Sequence, residues 1–187
     1  LIGAAPVSRT ATGIWAKRVE TTLVMSMKHV VLSVVAAIGL SCGTAGAAEF
    51  TLGVGAVEYR DDIGDIQISI EARSEPVAFV LGSDIAPQVG LTVDTAGAAY
   101  VGVGAAATNW LSTFWFIEGS LMAGYYSANG DRTDLGSDVE FRSLLGIGRE
   151  FGQFGRVSLA VSHISHAGIE ENNPGANMLS LRLTRGF

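Results

Sequence analysis

Three polar residues in the last part of the chain have the side-chain types of a nucleophilic catalytic site. A serine hydroxyl attacks a carbonyl when a histidine takes its proton, and an asparagine can hold that histidine in place. His163 and Ser165 are separated by one residue, so in a β-strand they share a face about 6.6 Å apart. Asn177 follows after a loop-like segment. Because H-x-S pairs are common, an interfacial histidine and serine without a catalytic role is the alternative interpretation.

The residues around this trio place it at the end of an apolar row. Positions of the same parity before His163 are apolar: Val157, Leu159 and Val161. Leucines follow Asn177 at alternate positions: Leu179, Leu181 and Leu183. If the two segments form a β-hairpin, His163, Ser165 and Asn177 cluster where the apolar band ends. We expect such a cluster to meet a lipid headgroup rather than a soluble metabolite.

Period-two alternation of apolar and polar residues runs through the whole region after residue 47, and this period is that of β-strands. Turn-rich segments such as DDIG, DTAG and SANGDRTDLGSD separate the alternating stretches. Eight strands are predicted, at about residues 50–60, 64–74, 84–94, 97–108, 112–126, 137–151, 155–165 and 177–187. The pattern predicts an all-β fold, an eight-stranded antiparallel transmembrane β-barrel of the bacterial outer membrane.

Charged residues in the middle of predicted strands indicate how the barrel faces its surroundings. They are Glu58, Glu71, Arg73, Glu118, Glu140, Arg142 and Arg182. A small membrane barrel turns apolar rows to the lipid and packs polar side chains inside, so we expect these charges in the interior. A soluble periplasmic barrel of the lipocalin type, with the two faces reversed, is the alternative that parity alone leaves open.

Aromatic residues lie near the predicted strand ends: Tyr59, Tyr100, Trp110, Trp115, Tyr125 and Tyr126. Membrane barrels carry girdles of aromatic side chains at both interfaces, so we expect these six residues to form them. The chain ends with Phe187 on the parity of the leucine row, which is also usual for barrels inserted in the outer membrane.

The composition excludes several classes of function. The 187 residues are 48% hydrophobic and 16% charged, with a net charge of -6. A nucleic-acid-binding face needs a basic patch, so the acidic balance argues against a nucleic-acid partner. A single cysteine excludes both a disulfide framework and a four-cysteine zinc site.

Residues 25–47 have the pattern of a secretory signal peptide. Lys28 precedes an apolar run, 30–40, and Ala45-Gly46-Ala47 has the form of an A-x-A cleavage site. The apolar run is too short for a membrane-spanning helix. We expect residues 1–24 to be a mis-assigned gene start or an unstructured extension, and 48–187 to be the barrel domain. An uncleaved amino-terminal membrane anchor is the alternative.

The segment HISHAGIEENNPGAN, residues 163–177, resembles the H-x-S-N-A-G motif, loop and glutamate of the outer-membrane lipid A 3-O-deacylase (acyloxyacyl hydrolase-like) family. FIEGSLMAGYY (116–126) and LGSDVEFRSLLGIG (135–148) extend the similarity upstream. The resemblance implies a carboxylic ester hydrolase of the outer membrane that acts without a metal or other cofactor. Its implied partners are lipid A in lipopolysaccharide and the membrane lipid, and a homodimer is left open.

By this resemblance Ser165 is the nucleophile, His163 is the general base and Gly168 offers a backbone N–H to the oxyanion. Two positions depart from the family motif: His166 replaces an asparagine that is a second oxyanion donor, and Asn177 replaces the acidic residue. A histidine can still donate to an oxyanion, so we expect His166 to assist Gly168. Asparagine can orient an imidazole but cannot offset its positive charge, so Asn177 is expected to orient His163 only.

Two functions of different classes follow. The first is an esterase that removes the 3-O-linked hydroxyacyl chain from lipid A through a Ser/His site on the lipid-facing surface. The second is a catalytically weak or inactive outer-membrane barrel with a structural or surface-interaction role, which the departures at His166 and Asn177 favour.

Overall fold

The computed structural model describes residues 47–60, 62–169 and 171–187. These residues form nine β-strands, one short 3-10 helix and the loops that connect them. The strands are β1 (Ala47–Tyr59), β2 (Asp62–Ser74), β3 (Ala78–Val80), β4 (Ser83–Asp94), β5 (Ala99–Trp110), β6 (Trp115–Ser127), β7 (Val139–Glu150), β8 (Arg156–Ser165) and β9 (Ala176–Gly186). The helix is Gly152–Phe154, and no helix among these residues is long and apolar enough to cross a membrane. The predicted signal segment 25–47 and the leading residues 1–24 lie outside the described residues, except for Ala47.

The eight long strands form a closed antiparallel barrel, which confirms the predicted fold. Consecutive long strands pair with one another, and β1 also pairs with β9 along nearly its whole length. The short β3 is passed over, because β2 pairs directly with β4. Closure leaves no long strand with an unpaired edge, which is the condition for β-structure in a bilayer.

The short strand β3 is a feature that the sequence pattern did not predict. Its residues pair with the first residues of β4, and Leu81 and Gly82 connect the two strands. Both connecting residues have positive φ, 49° and 82°, as a two-residue type I′ hairpin turn requires. Such turns favour Asn-Gly or Asp-Gly. The pair Leu81-Gly82 lacks this signal, so the sequence did not indicate a turn here.

The barrel has an apolar outside and a charged inside. Outward side chains that are 54% to 63% exposed include Leu52, Ile66, Val103, Leu121, Leu145 and Leu181. The inward side chains of Glu71, Glu118 and Arg182 are at most 2% exposed. A soluble barrel of the lipocalin type would need the reverse arrangement, so the faces have the orientation predicted for a membrane barrel.

Five interior charges form one network of ion pairs, and the buried Glu140 is not among them. Arg182 contacts Glu71 at 2.7 Å and Glu118 at 3.2 Å, and Arg73 contacts Glu118 at 2.7 Å. Arg142 forms a further ion pair with Glu71. Each of these buried charges therefore has a partner of opposite sign, which offsets the free energy of removing it from water.

Four of the six aromatic residues predicted for the interfacial girdles lie on the inner face of the barrel instead. Tyr59, Tyr100 and Tyr126 are at most 3% exposed, and Trp110 has the parity of Tyr100 and lies opposite the buried Phe116, whereas Trp115 and Tyr125 face outward. The Tyr59 hydroxyl donates to Asp94 at 2.5 Å, and the Tyr126 hydroxyl donates to that of Tyr59 at 3.1 Å. The girdle prediction was wrong for these four because it used nearness to a strand end, whereas parity decides which face a side chain occupies.

Candidate active site

A row of four polar residues crosses four neighbouring strands on the outside of the barrel. Ser143 of β7 lies opposite His163 of β8, and His163 lies opposite Asn177 of β9. Asn177 in turn lies opposite Glu58 of β1. Opposed residues of antiparallel strands have side chains on the same face, with Cβ atoms about 4.5–5.5 Å apart. The strand register therefore holds the predicted base beside the residue predicted to orient it.

His163 and Asn177 make a direct hydrogen bond between their side chains. Nδ1 of His163 is 2.9 Å from Oδ1 of Asn177. An amide oxygen only accepts hydrogen bonds, so Nδ1 carries the proton and donates it. The neutral ring then keeps its lone pair on Nε2, which is the nitrogen that a general base needs free.

Gly175 forms the surface against which the His163 ring packs. A Cβ atom at this position would lie 2.7 Å from Cε1 and 3.2 Å from Nε2 of His163. Gly175 precedes Ala176, the partner of Ile164, so it lies at the level of Ser165. The Nε2 edge of the ring therefore faces the Ser165 end of β8. This direction favours Ser165 over Ser143 as the serine whose hydroxyl could give its proton to His163.

Ser165 is the last residue of β8 and is half-buried on the same face as His163. It lies opposite Phe141 of β7. Among the described residues no hydrogen bond joins Ser165 to His163, as their spacing of about 6.6 Å along one strand suggests. Catalytic contacts in unliganded sites are commonly long and shorten when substrate binds, so the spacing is compatible with proton transfer.

The two predicted oxyanion donors lie beyond β8 and differ in their surroundings. The His166 ring is fully buried, and its Nε2 lies 2.8 Å from the backbone oxygen of Asn172. The structure therefore does not bring this ring to the outer face with His163. Gly168 is exposed, with a φ of 81°, in a turn closed by the Ile169 amide donating to the His166 carbonyl. His166 thus connects the start of this loop to its middle.

Glu58 is a site residue that the sequence analysis missed. The charge pattern placed it among the interior charges, which was wrong, because its side chain lies on the outer face with Oε2 3.2 Å from Nδ2 of Asn177. The parity of Glu58 indicates the outer face, because Leu52 and Val54 of the same strand have the same parity and are exposed. Treating all mid-strand charges as one class hid this difference.

The polar row lines an open groove on the outer surface, with a volume of about 540 Å³. Glu58, Ser143, His163 and Asn177 contribute polar atoms to it. The remaining walls are mainly apolar and include Ile63, Leu145, Val161 and Leu179. An amphipathic molecule with an apolar chain and a polar group near its end matches this distribution of atoms.

Comparison with known proteins places the chain in a family. The model of the lipid A 3-O-deacylase (PagL) family matches residues 76–185. The chain belongs to this family. The matched segment of the lipid A 3-O-deacylase family contains His163, Ser165 and Asn177, whereas Glu58 lies before it. The family predicted from the motif is therefore confirmed.

Two individual members of the lipid A 3-O-deacylase family are similar to the chain. It is 32% identical over 80 residues to the lipid A deacylase PagL of Bordetella bronchiseptica, which covers 42% of this chain and 44% of that protein. The chain thus aligns with less than half the length of this curated relative. The crystal structure of the outer membrane enzyme PagL superposes with a TM-score of 0.61 at 20% identity, over 75% of this chain and 100% of that one. This second likeness supports the barrel fold.

Proposed function

We propose that the chain is an outer-membrane esterase that hydrolyses the ester linking the 3-O hydroxyacyl chain to lipid A. The observation that carries this proposal is the hydrogen-bonded pair of His163 and Asn177 on an outward, groove-lined face of the barrel. Membership of the lipid A 3-O-deacylase family supports the reaction class. The substrate is part of the bilayer itself, so a site on the outer wall meets it directly.

The surroundings of the site support insertion in the bacterial outer membrane. The outer wall exposes leucine, isoleucine and valine along every long strand, which favours contact with acyl chains over water. The polar row lies toward the barrel end that carries the long connections from β6 to β7 and from β8 to β9. In membrane barrels the longer loops are extracellular, so the row lies on the side of the outer leaflet, where lipopolysaccharide is.

The reaction would proceed in two steps through an acyl-enzyme. Ser165 Oγ attacks the ester carbonyl while Nε2 of His163 takes the hydroxyl proton, and the tetrahedral oxyanion accepts a hydrogen bond from the Gly168 amide. His163 then gives the proton to the departing 3-oxygen of the sugar. Water attacks the acyl-enzyme, again with His163 as base, and releases the hydroxy fatty acid and free Ser165.

The role of His166 in this scheme stays a prediction. Its buried ring and its contact with the Asn172 carbonyl support a role in holding the loop that carries Gly168. Direct assistance to the oxyanion would require the ring to leave this contact.

Mass spectrometry of lipid A from cells that express the chain tests the proposal. We expect the wild type to remove one hydroxyacyl group and Ser165→Ala to remove none. Ser127→Ala is the matched control, since Ser127 is also half-buried, outward and the last residue of its strand at the same end of the barrel. It should behave as the wild type.

The second candidate, a barrel without useful catalysis, is favoured by the lack of a hydrogen bond between Ser165 and His163. It predicts unchanged lipid A in cells where the wild-type barrel is correctly inserted, as shown by heat-modifiable migration on a denaturing gel. That result would contradict the esterase proposal.

A further inference from the structure

We propose that Glu58 of β1 is a positioning residue of the site, which orients the Asn177 amide and through it fixes the proton on Nδ1 of His163. This inference rests on the proposed esterase function. It assigns to Glu58 the negative charge that the neutral amide of Asn177 cannot supply. Glu58 lies outside the segment that matches the family, so family membership says nothing about it.

The strand register is the first observation behind this role. Glu58, Asn177 and His163 are direct partners across β1, β9 and β8, so the closed barrel holds all three side chains on one line. Glu58 and Asn177 are far apart in the chain and meet only because β1 and β9 close the barrel. The contact is therefore a product of barrel closure.

The chemistry of the hydrogen bonds is the second observation. The carboxylate of Glu58 can only accept, so the NH₂ group of Asn177 must face it, at 3.2 Å. The amide oxygen of Asn177 then faces the imidazole, at 2.9 Å. That oxygen can only accept, so the imidazole must donate from Nδ1, and Nε2 is left as the base. Without Glu58, the amide could turn over and present its NH₂ group to the ring, which would favour the opposite tautomer.

Charge is the third part of the inference. When His163 takes the serine proton it becomes positively charged, and Asn177 has no charge to stabilise that state. Glu58 lies one amide group away and supplies a negative charge on the same line. At metal sites, outer partners that fix the tautomer and basicity of a histidine typically contribute about 10- to 100-fold, and we expect an effect of this size for Glu58.

Two substitutions distinguish the effect of the Glu58 hydrogen bond on the orientation of Asn177 from the effect of the Glu58 charge. Glu58→Gln keeps an oxygen that can accept from Asn177 but removes the charge, and we expect about a 10-fold loss of kcat with little change in KM. Glu58→Leu removes both functions and we expect about a 100-fold loss of kcat. Leucine suits the outer wall of a membrane barrel, so the variant should fold. Glu75→Gln, an exposed glutamate at the opposite end of the barrel, is the control and should retain wild-type kcat.

Two further readouts distinguish positioning from a structural role. In ¹⁵N-histidine spectra, His163 should be the Nδ1–H tautomer in the wild type and shift toward Nε2–H in Glu58→Leu. In the Asn177→Glu background, where a carboxylate contacts the ring directly, Glu58→Gln should no longer lower kcat. The same 10-fold loss in both backgrounds, or an unchanged tautomer in Glu58→Leu, would overturn the inference.

The test distinguishes this inference from the proposed function. Wild-type kcat in both Glu58 variants, together with an inactive Ser165→Ala, would overturn the role of Glu58 and leave the esterase in place. A wild type that releases no fatty acid, in a barrel that inserts normally, would overturn the esterase and with it the catalytic role of Glu58.

Discussion

Gly175 packs against the imidazole ring of His163, the proposed base. Its φ of 64° lies in the left-handed region, and the absence of a Cβ lets the His163 ring lie against the backbone. Any side chain here would push on Cε1 and Nε2, the edge of the ring that faces Ser165. The hydrogen bond to Asn177 holds the other ring nitrogen, Nδ1. Two contacts therefore fix the ring, with Nε2 directed along the strand.

Gly175→Ala should reduce activity much more than stability. The left-handed backbone costs an alanine about 1–2 kcal/mol, and displacement of a catalytic group by 1 Å can cost about 100-fold in rate. Gly130→Ala is the matched control, since Gly130 also has positive φ but has nothing within 4 Å of an added Cβ. Urea unfolding should give similar losses of stability for both variants, whereas fatty-acid release should fall only in Gly175→Ala. Equal release from both would contradict the packing role.

At the scale of the strand, apolar outward side chains alternate with polar inward ones along β9. Leu181 is 55% exposed on the outer wall, whereas the adjacent Arg182 is buried in the interior ion network. Asn177 belongs to the outward row of the same strand. The outer face of β9 thus contributes to lipid contact and to the candidate site, and its inner face packs in the barrel interior, because successive side chains point to opposite faces.

Substitutions at these two neighbouring positions should both destabilise the barrel, for different reasons. Arg182→Leu leaves Glu71 and Glu118 with one fewer cation and should cost about 3–5 kcal/mol, as for other broken buried pairs. Leu181→Arg places a charge in the acyl chains and should cost about 2–4 kcal/mol. Leu181→Ile, which keeps an apolar side chain there, is the control. Unfolding in lipid vesicles measures all three, and no loss in Arg182→Leu would contradict the role of the network.

The strands could be predicted from the sequence much better than the contacts between them. All eight predicted strands correspond to the long strands of the barrel, because alternation is a property of each segment by itself. The bond between His163 and Asn177 was also predictable, because one hairpin joins them. The contact of Glu58 with Asn177 was not, since it depends on the register of β1 against β9, which no local pattern encodes.

At the scale of the whole molecule, the barrel has two unlike ends. The longest connections, from β6 to β7 and from β8 to β9, lie at the end where the polar row is. The opposite end carries the short turns before β6 and before β8. In the outer membrane we expect this asymmetry to direct the candidate site to the outer leaflet.

Cysteine labelling in intact cells tests this orientation. The single native cysteine, Cys42, lies in the predicted signal segment, so introduced cysteines should be the reactive ones in the mature chain. Asp131→Cys, in the connection from β6 to β7, should react with a maleimide too large to cross the outer membrane. Gln153→Cys, in the turn before β8, should react only after the membrane is disrupted. The reverse pattern would contradict the proposed orientation.

The open groove on the outer wall has a kinetic consequence. In the proposed reaction, the lipid substrate would reach this groove by lateral diffusion within the leaflet, without passing through water. The rate of the proposed reaction should then follow the mole fraction of substrate in the surrounding lipid rather than its bulk concentration. Adding inert detergent at constant total substrate should slow turnover by surface dilution, although no inhibitor is present.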